Sequence, residues 1–306
     1  MAGLTRRIVL GGLSITGFGG TLGLGACGKK PQTFTEPNAD GDPEEVVDPK
    51  LAAQPGTLQW AVAGKWRNAI DKDRDKYRHP IELLSFFEVE PNSTVLDMWP
   101  GAGYMTEICA PYLAHGKGQY IAALFEASQG GAAATLEATY RRHFGDRAVY
   151  GDIRYTEFGP DSAKLYDADG VDVILMLLVI QDWMAAGIAE KAFADAFAAL
   201  KPGGILGVEQ HRADIGNVQD PAATNGYVQE PFVKQLATEA GFQFIAESEM
   251  NANPKDDKDH PFGVWTLPPQ RLTAPRGQPP NPQFDGTLYE SIGESDRMTL
   301  KFRKPQ

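Results

Sequence analysis

Apolar positions in this chain change rhythm at a single glycine turn. Val95, Leu96 and Met98 form a short apolar run, the pattern of a strand covered on both faces. Met105, Ile108, Cys109, Tyr112 and Leu113 then recur at helical spacing and give one apolar face. Between the two, Gly101 and Gly103 permit a sharp turn and a close approach of a ligand to the backbone. Strand, glycine turn and helix make the first unit of a doubly wound sheet, which binds its ligand at the carboxyl end of the strand.

The alternation continues along the chain. Residues 119–124 read as a second strand, 130–140 as an alanine-rich helix and 149–152 as a third strand. The apolar run 171–180 is a fourth strand, too short to span a bilayer. A helix over 188–200 is stopped by Pro202, Gly203 and Gly204, which open a fifth strand over 205–210. A helix over 231–240 and a strand over 242–248 follow, and Met298, Leu300 and Phe302 share one face of a last strand over 298–303. Ahead of the turn, 66–77 and 80–87 read as two helices, the second opened by Pro80. The proline-rich stretch 251–296 predicts a lid or a partly disordered loop.

Val95-Leu96-Asp97 followed by Gly101-Ala102-Gly103-Tyr104 resembles motif I of the class I S-adenosylmethionine-dependent methyltransferases. The Leu200-Lys201-Pro202-Gly203-Gly204 turn is a second hallmark of that fold. Further pieces resemble a branch of exported, largely uncharacterised bacterial methyltransferases: residues 77–80, 99–101, 207–213, 251–255, 263–269 and 293–298. Over residues 60–304 the resemblance implies an α/β, doubly wound, seven-stranded Rossmann-like sheet. Its last strand would be antiparallel, with N-terminal helices and a long insertion before that strand. It also implies S-adenosylmethionine as cofactor, held by Asp97, Gly101, Gly103 and Tyr104, with Glu126 on the ribose and Asp152 on the adenine. Where the usual motif has glycine, this chain has Trp99, which makes the loop bulkier.

Composition narrows the partners. The formal net charge of −11 disfavours nucleic acid, whose phosphates need a basic surface. Two cysteines, Cys27 and Cys109, exclude a disulfide scaffold and a cysteine-rich metal site. Residues 1–27 read as an address: Arg6 and Arg7 resemble a twin-arginine export signal, and Leu24-Gly25-Ala26-Cys27 a bacterial lipobox. Lipidation of Cys27 would attach the protein to a membrane on the periplasmic side. Residues 28–59 have the proline and acidic content of a tether, ahead of a domain over 60–306.

Methyl transfer from a sulfonium is an in-line displacement in which the protein aligns the reactants and houses the nucleophile. His211, after the fifth strand, is the candidate general base. Arg78, His79, Trp183, Arg212, Asn253 and Trp265 are candidates for an acceptor site. The histidines have neither HxH nor HExxH spacing, and Asp256 to His260 reads as a solvated turn. A non-catalytic adenosyl-binding lipoprotein is the alternative. A nicotinamide-dependent oxidoreductase is disfavoured, because Thr106 stands where the third glycine of that fingerprint belongs.

Overall fold

The computed structural model describes residues 54–126, 131–166 and 170–306. Cys27 and the export signal lie outside the described residues. The strands are β1 (Thr94–Met98), β2 (Gln119–Phe125), β3 (Arg154–Phe158), β4 (Val171–Leu177), β5 (Leu200–His211), β6 (Gln243–Ser248), β7 (Pro261–Val264) and β8 (Arg297–Arg303). All but β7 form one sheet in the order β3-β2-β1-β4-β5-β8-β6. β3, β2, β1, β4 and β5 pair in parallel, and β8 runs antiparallel between β5 and β6. This is the seven-stranded mixed sheet expected from the resemblance, with its last strand reversed.

Strand order turns back between β1 and β4, so their carboxyl ends flank the crevice where doubly wound sheets bind ligands. Both strands are buried almost throughout, as their apolar runs require. One core packs Phe193, Trp183 and Phe302 on one face of the sheet. The other packs Phe87, Ile108 and Leu113 on the opposite face.

Four elements depart from the expectation. The third strand is Arg154–Phe158, whereas Arg147–Tyr150 is a helical turn capped by Asp146. β3 lies at the sheet edge, so its outer side chains stay polar and no apolar run marks it. The charged helix expected over 66–77 is two short helices, Ala69–Asp73 and Asp75–Arg78, meeting at Arg74. Helical structure also begins earlier, at Leu58–Val62, where the Thr57 side chain accepts the Trp60 N–H. Finally, the long insertion carries structure of its own, β7 and the helix Thr287–Ile292.

Candidate functional site

The glycine turn stands at the carboxyl end of β1. Gly101 has φ +60°, and a Cβ added there would meet nothing within 4 Å, so the turn is open to solvent at this point. Gly103 serves packing instead: at φ +94° its missing Cβ makes room for the Phe144 ring, 2.2 Å from where that atom would sit. Asp97 does not reach the opening. It is buried, and its carboxylate accepts a 2.8 Å hydrogen bond from the Tyr120 hydroxyl. The Tyr120 hydroxyl lies 2.9 Å from that of Thr106, which meets the Tyr140 hydroxyl in turn. Burial, only partly offset by Tyr120, raises the Asp97 carboxyl to about 7. Tyr104 is likewise turned away: its hydroxyl donates to Asp75, and Arg67, Arg74 and Arg78 crowd its ring.

Trp99 fills the crevice beside the turn. Its backbone is left-handed at φ +56°, an outlier for so bulky a residue. Leu178, after β4 on the other side of the switch point, is left-handed too, at φ +59°. The Trp99 indole N–H donates to the Phe158 carbonyl at 2.9 Å, reaching from the end of β1 to the end of β3. The ring packs on Phe125, Phe158 and Trp183 at centroid distances of 4.4, 5.9 and 5.8 Å. The cavity that remains beside it is about 10 Å³, barely room for one water. Trp183 is completely buried behind Trp99, and its indole N–H has no acceptor among the described residues.

Two acids were expected around this crevice. Glu126 directly follows β2, because that strand runs one residue further than its apolar pattern suggests. Its carboxylate accepts the Asp161 N–H in the loop after β3. Asp152 precedes β3 and so lies at the amino edge, opposite the crevice. It is 70% exposed and paired with Arg147, and so cannot hold the adenine of a ligand at the carboxyl edge. The acid that follows β3 at the ligand edge is Asp161.

A larger pocket opens on the same edge, above β5 and β8. It measures about 180 Å³. His79, Asn251, Asn253, Ser295 and Arg297 are among its lining residues, and Lys76 and Lys255 stand at its exposed rim. The segments whose resemblance was noted, 77–80, 207–213, 251–255 and 293–298, converge here. Register explains the convergence: β5 and β8 pair with His211 opposite Arg297.

A continuous polar network supports the pocket. Arg297 is buried and donates to Glu209 Oε1 at 2.8 Å and to the Tyr77 carbonyl at 2.7 Å. Glu294 takes Arg78 at 2.8 Å, Arg74 at 3.0 Å and Arg297 at 3.3 Å. Against the upward push of burial, Arg78, Arg297 and Arg74 together hold its carboxyl at about 2. Asn251 Nδ2 donates to Glu209, which turns the amide oxygen toward His79 Nδ1, 3.0 Å away. That oxygen can only accept, so Nδ1 carries a proton, and in the neutral ring the lone pair is on Nε2. His79 is itself left-handed, at φ +42°, immediately before Pro80.

His211 is differently placed. Its Nδ1 lies 2.6 Å from the Ser295 hydroxyl. Burial, then Arg297 and Arg78, lower it to about 3, which weighs against the role of base expected of it. Three of the expected acceptor residues are structural. Arg78 clamps Glu294, and Arg212 is held by Glu249 and Asp296. Trp265 lies outside the pocket under Arg276, 3.5 Å from its ring centre. Of the rest, His79 and Asn253 do line it. Asp256 is spent internally on Tyr227, His260, the Lys258 N–H and the Asp296 N–H, so the Asp256–Asp257–His260 cluster is a folded turn.

Neither a protein-family model nor a curated protein sequence matches the chain. Among solved structures, the cyclase SpnF is 15% identical over 74% of this chain and 80% of its own, with a TM-score of 0.47. Human N-acetylserotonin methyltransferase, solved with S-adenosylmethionine, is 15% identical over 81% of this chain and 56% of its own, with a TM-score of 0.47. A S-adenosylmethionine-dependent methyltransferase from Mesorhizobium loti is 13% identical over 73% and 97%, with a TM-score of 0.44. None of these likenesses carries a residue's role over to this chain.

Proposed function

We propose that this protein transfers a methyl group from S-adenosylmethionine to a small acceptor bound in the polar pocket. The observation that carries the reading is the shared edge. The open glycine turn at Gly101 stands at the point where strand order reverses, and the pocket opens above β5 and β8 on the same side of the sheet.

The residues fit an adenosyl ligand on two counts. At Gly101 nothing stands within 4 Å of where a side chain would begin, so a ligand can approach the main chain there. Trp183, packed behind Trp99, carries a buried N–H with no acceptor among the described residues, a deficit of about 1–3 kcal/mol that a ligand atom reaching it would relieve. The indole of Trp99 must turn out before that ligand enters. S-adenosylmethionine, once bound, supplies an electrophilic methyl group on a sulfonium. Gly101 would approach the ligand through its backbone, and Asp97 would shape the turn from below through Tyr120. Glu126, its carboxylate on the Asp161 N–H, lies on the side of β2 and β3.

His79 is the candidate base. The chain Glu209, Asn251, His79 fixes the imidazole tautomer and leaves Nε2 free to take a proton from an acceptor hydroxyl or amine. Export and a lipid anchor at Cys27 belong to the same reading and are supported by the N-terminal sequence. A Cys27→Ala chain that partitions with membranes as well as the parent would contradict the anchor.

The cofactor site is tested by equilibrium binding of S-adenosylhomocysteine, the demethylated product, to the parent and to Gly101→Asn. Asparagine tolerates left-handed backbone, so that variant keeps the turn while filling the space beside it. Binding should be lost with the unfolding transition unchanged. Equal binding by both proteins would overturn the assignment.

A further inference from the structure

We infer that the polar pocket takes a small anionic ligand, one carrying a carboxylate or phosphate group, which docks between Lys76 and Lys255. The inference deepens the acceptor-site reading and rests on it only for the ligand's role.

The pocket floor is electrically settled. Glu294 would repel an anion if it stood alone, but Arg74, Arg78 and Arg297 surround it. Glu209 is matched by Arg297 and by the Asn251 amide. Asn253 spends both protons of its side-chain amide on the carbonyls of Ile292 and Glu294. Floor and wall thus have few free groups with which to bind a cation.

The rim is different. Lys76 and Lys255 both line the mouth and are exposed. Neither has a carboxylate partner among the described residues; the Lys76 ammonium sits 5.0 Å above the Tyr77 ring. Lys258, three residues beyond Lys255, does find a partner, Asp296 at 3.2 Å. In a chain of net charge −11, carboxylates abound to neutralise a lysine. Two ammonium groups left over one concave, hydrogen-bonding site form an electrostatic funnel for an anion. His79 and Ser295 line the cavity below that rim, so an anion held by the two lysines would lie beside the His79 ring.

The test follows His79 itself. Its Cε1–H resonance, assigned by its loss in His79→Gln, is recorded by proton NMR on the full chain at constant pH and ionic strength. Chloride is replaced stepwise by inorganic phosphate in one arm and by citrate in the other. A saturable shift with either anion is expected, weakened at least fivefold in the Lys76→Gln/Lys255→Gln double variant, whose exposed side chains support no fold contact beyond the Tyr77 ring. A saturable response to one arm alone identifies phosphate or carboxylate as the preferred group. No saturable shift with either anion, or an unchanged affinity in the double variant, would overturn the inference. Binding of S-adenosylhomocysteine by the same preparation is read separately. Anion binding without it removes the methyl-transfer reading and keeps the anion site; the reverse removes the anion site alone.

Discussion

The two openings on the carboxyl edge are built in opposite ways. The crevice beside Gly101 is lined by aromatic rings and closed by Trp99 to about 10 Å³. The pocket above β5 and β8 is lined by charge and amide groups and stays open at about 180 Å³. Their carboxylates record the contrast. Asp97 is buried with a tyrosine for its partner, and its carboxyl rises to about 7. Glu294 is buried too, but three arginines outweigh that burial and draw it to about 2. An apolar wall yields when one ring rotates, whereas a saturated polar network keeps its shape only while every member stays. The difference suits a site that opens for a cofactor beside one preformed for an acceptor.

Removing one member of the network should have the largest effect. Arg297→Ala leaves Glu209 and Glu294 short of a buried cation and should cost about 3–5 kcal/mol in urea unfolding. A loss under about 1 kcal/mol would show that the pocket does not depend on its ion pairs. Asp97→Asn probes the crevice side by pH. Because the folded-state value lies above the unfolded one, the stability tied to protonated Asp97 is fully present below about pH 4 and is lost as pH rises through 7. The variant should therefore be flatter between pH 4 and 8, and more stable than the parent at pH 8 by roughly 4 kcal/mol. A parallel pair of stability curves would mean that Asp97 is not buried without charge compensation.

Smaller effects sharpen the same contrast. Trp99→Gly removes a buried ring but relieves a left-handed backbone, so its net cost should be about 2–3 kcal/mol, below that of most core tryptophans. At His79, glycine and alanine both lose the Asn251 contact, yet only glycine is at ease at φ +42°. His79→Gly should thus be more stable than His79→Ala by about 1 kcal/mol, with both inactive on any acceptor found. Equal stability would argue that the backbone there is unstrained.

Much of the sheet was legible because its central strands are apolar runs and its turns carry glycine and proline. The turn at Gly101 and the strand that delivers His211 follow from such signals, whereas the reversal of β8 came from the resemblance. β3 was misplaced because Tyr150 is apolar for a different reason: it packs against Phe144 in a helical turn. That shift put Asp152 on the wrong edge. His211 was assigned from its place after a strand, and place says nothing of charge. The groups that lower it, Arg297 and Arg78, sit far away along the chain and arrive through β8 pairing and the N-terminal helices. Similarly, nothing local marks Asn251 as the residue that orients His79. Trp99 was seen as a bulky exception to a glycine motif, but its span to the Phe158 carbonyl needs three-dimensional neighbours.

The central claim is that the crevice beside Gly101 is an adenosyl site closed by Trp99. Calorimetric titration of S-adenosylhomocysteine into the parent and into folded Trp99→Gly tests it directly. Both should bind, and the variant should bind at least tenfold more tightly, because no ring has to leave. Absence of binding to Trp99→Gly, or equal affinity in the two proteins, would contradict the account.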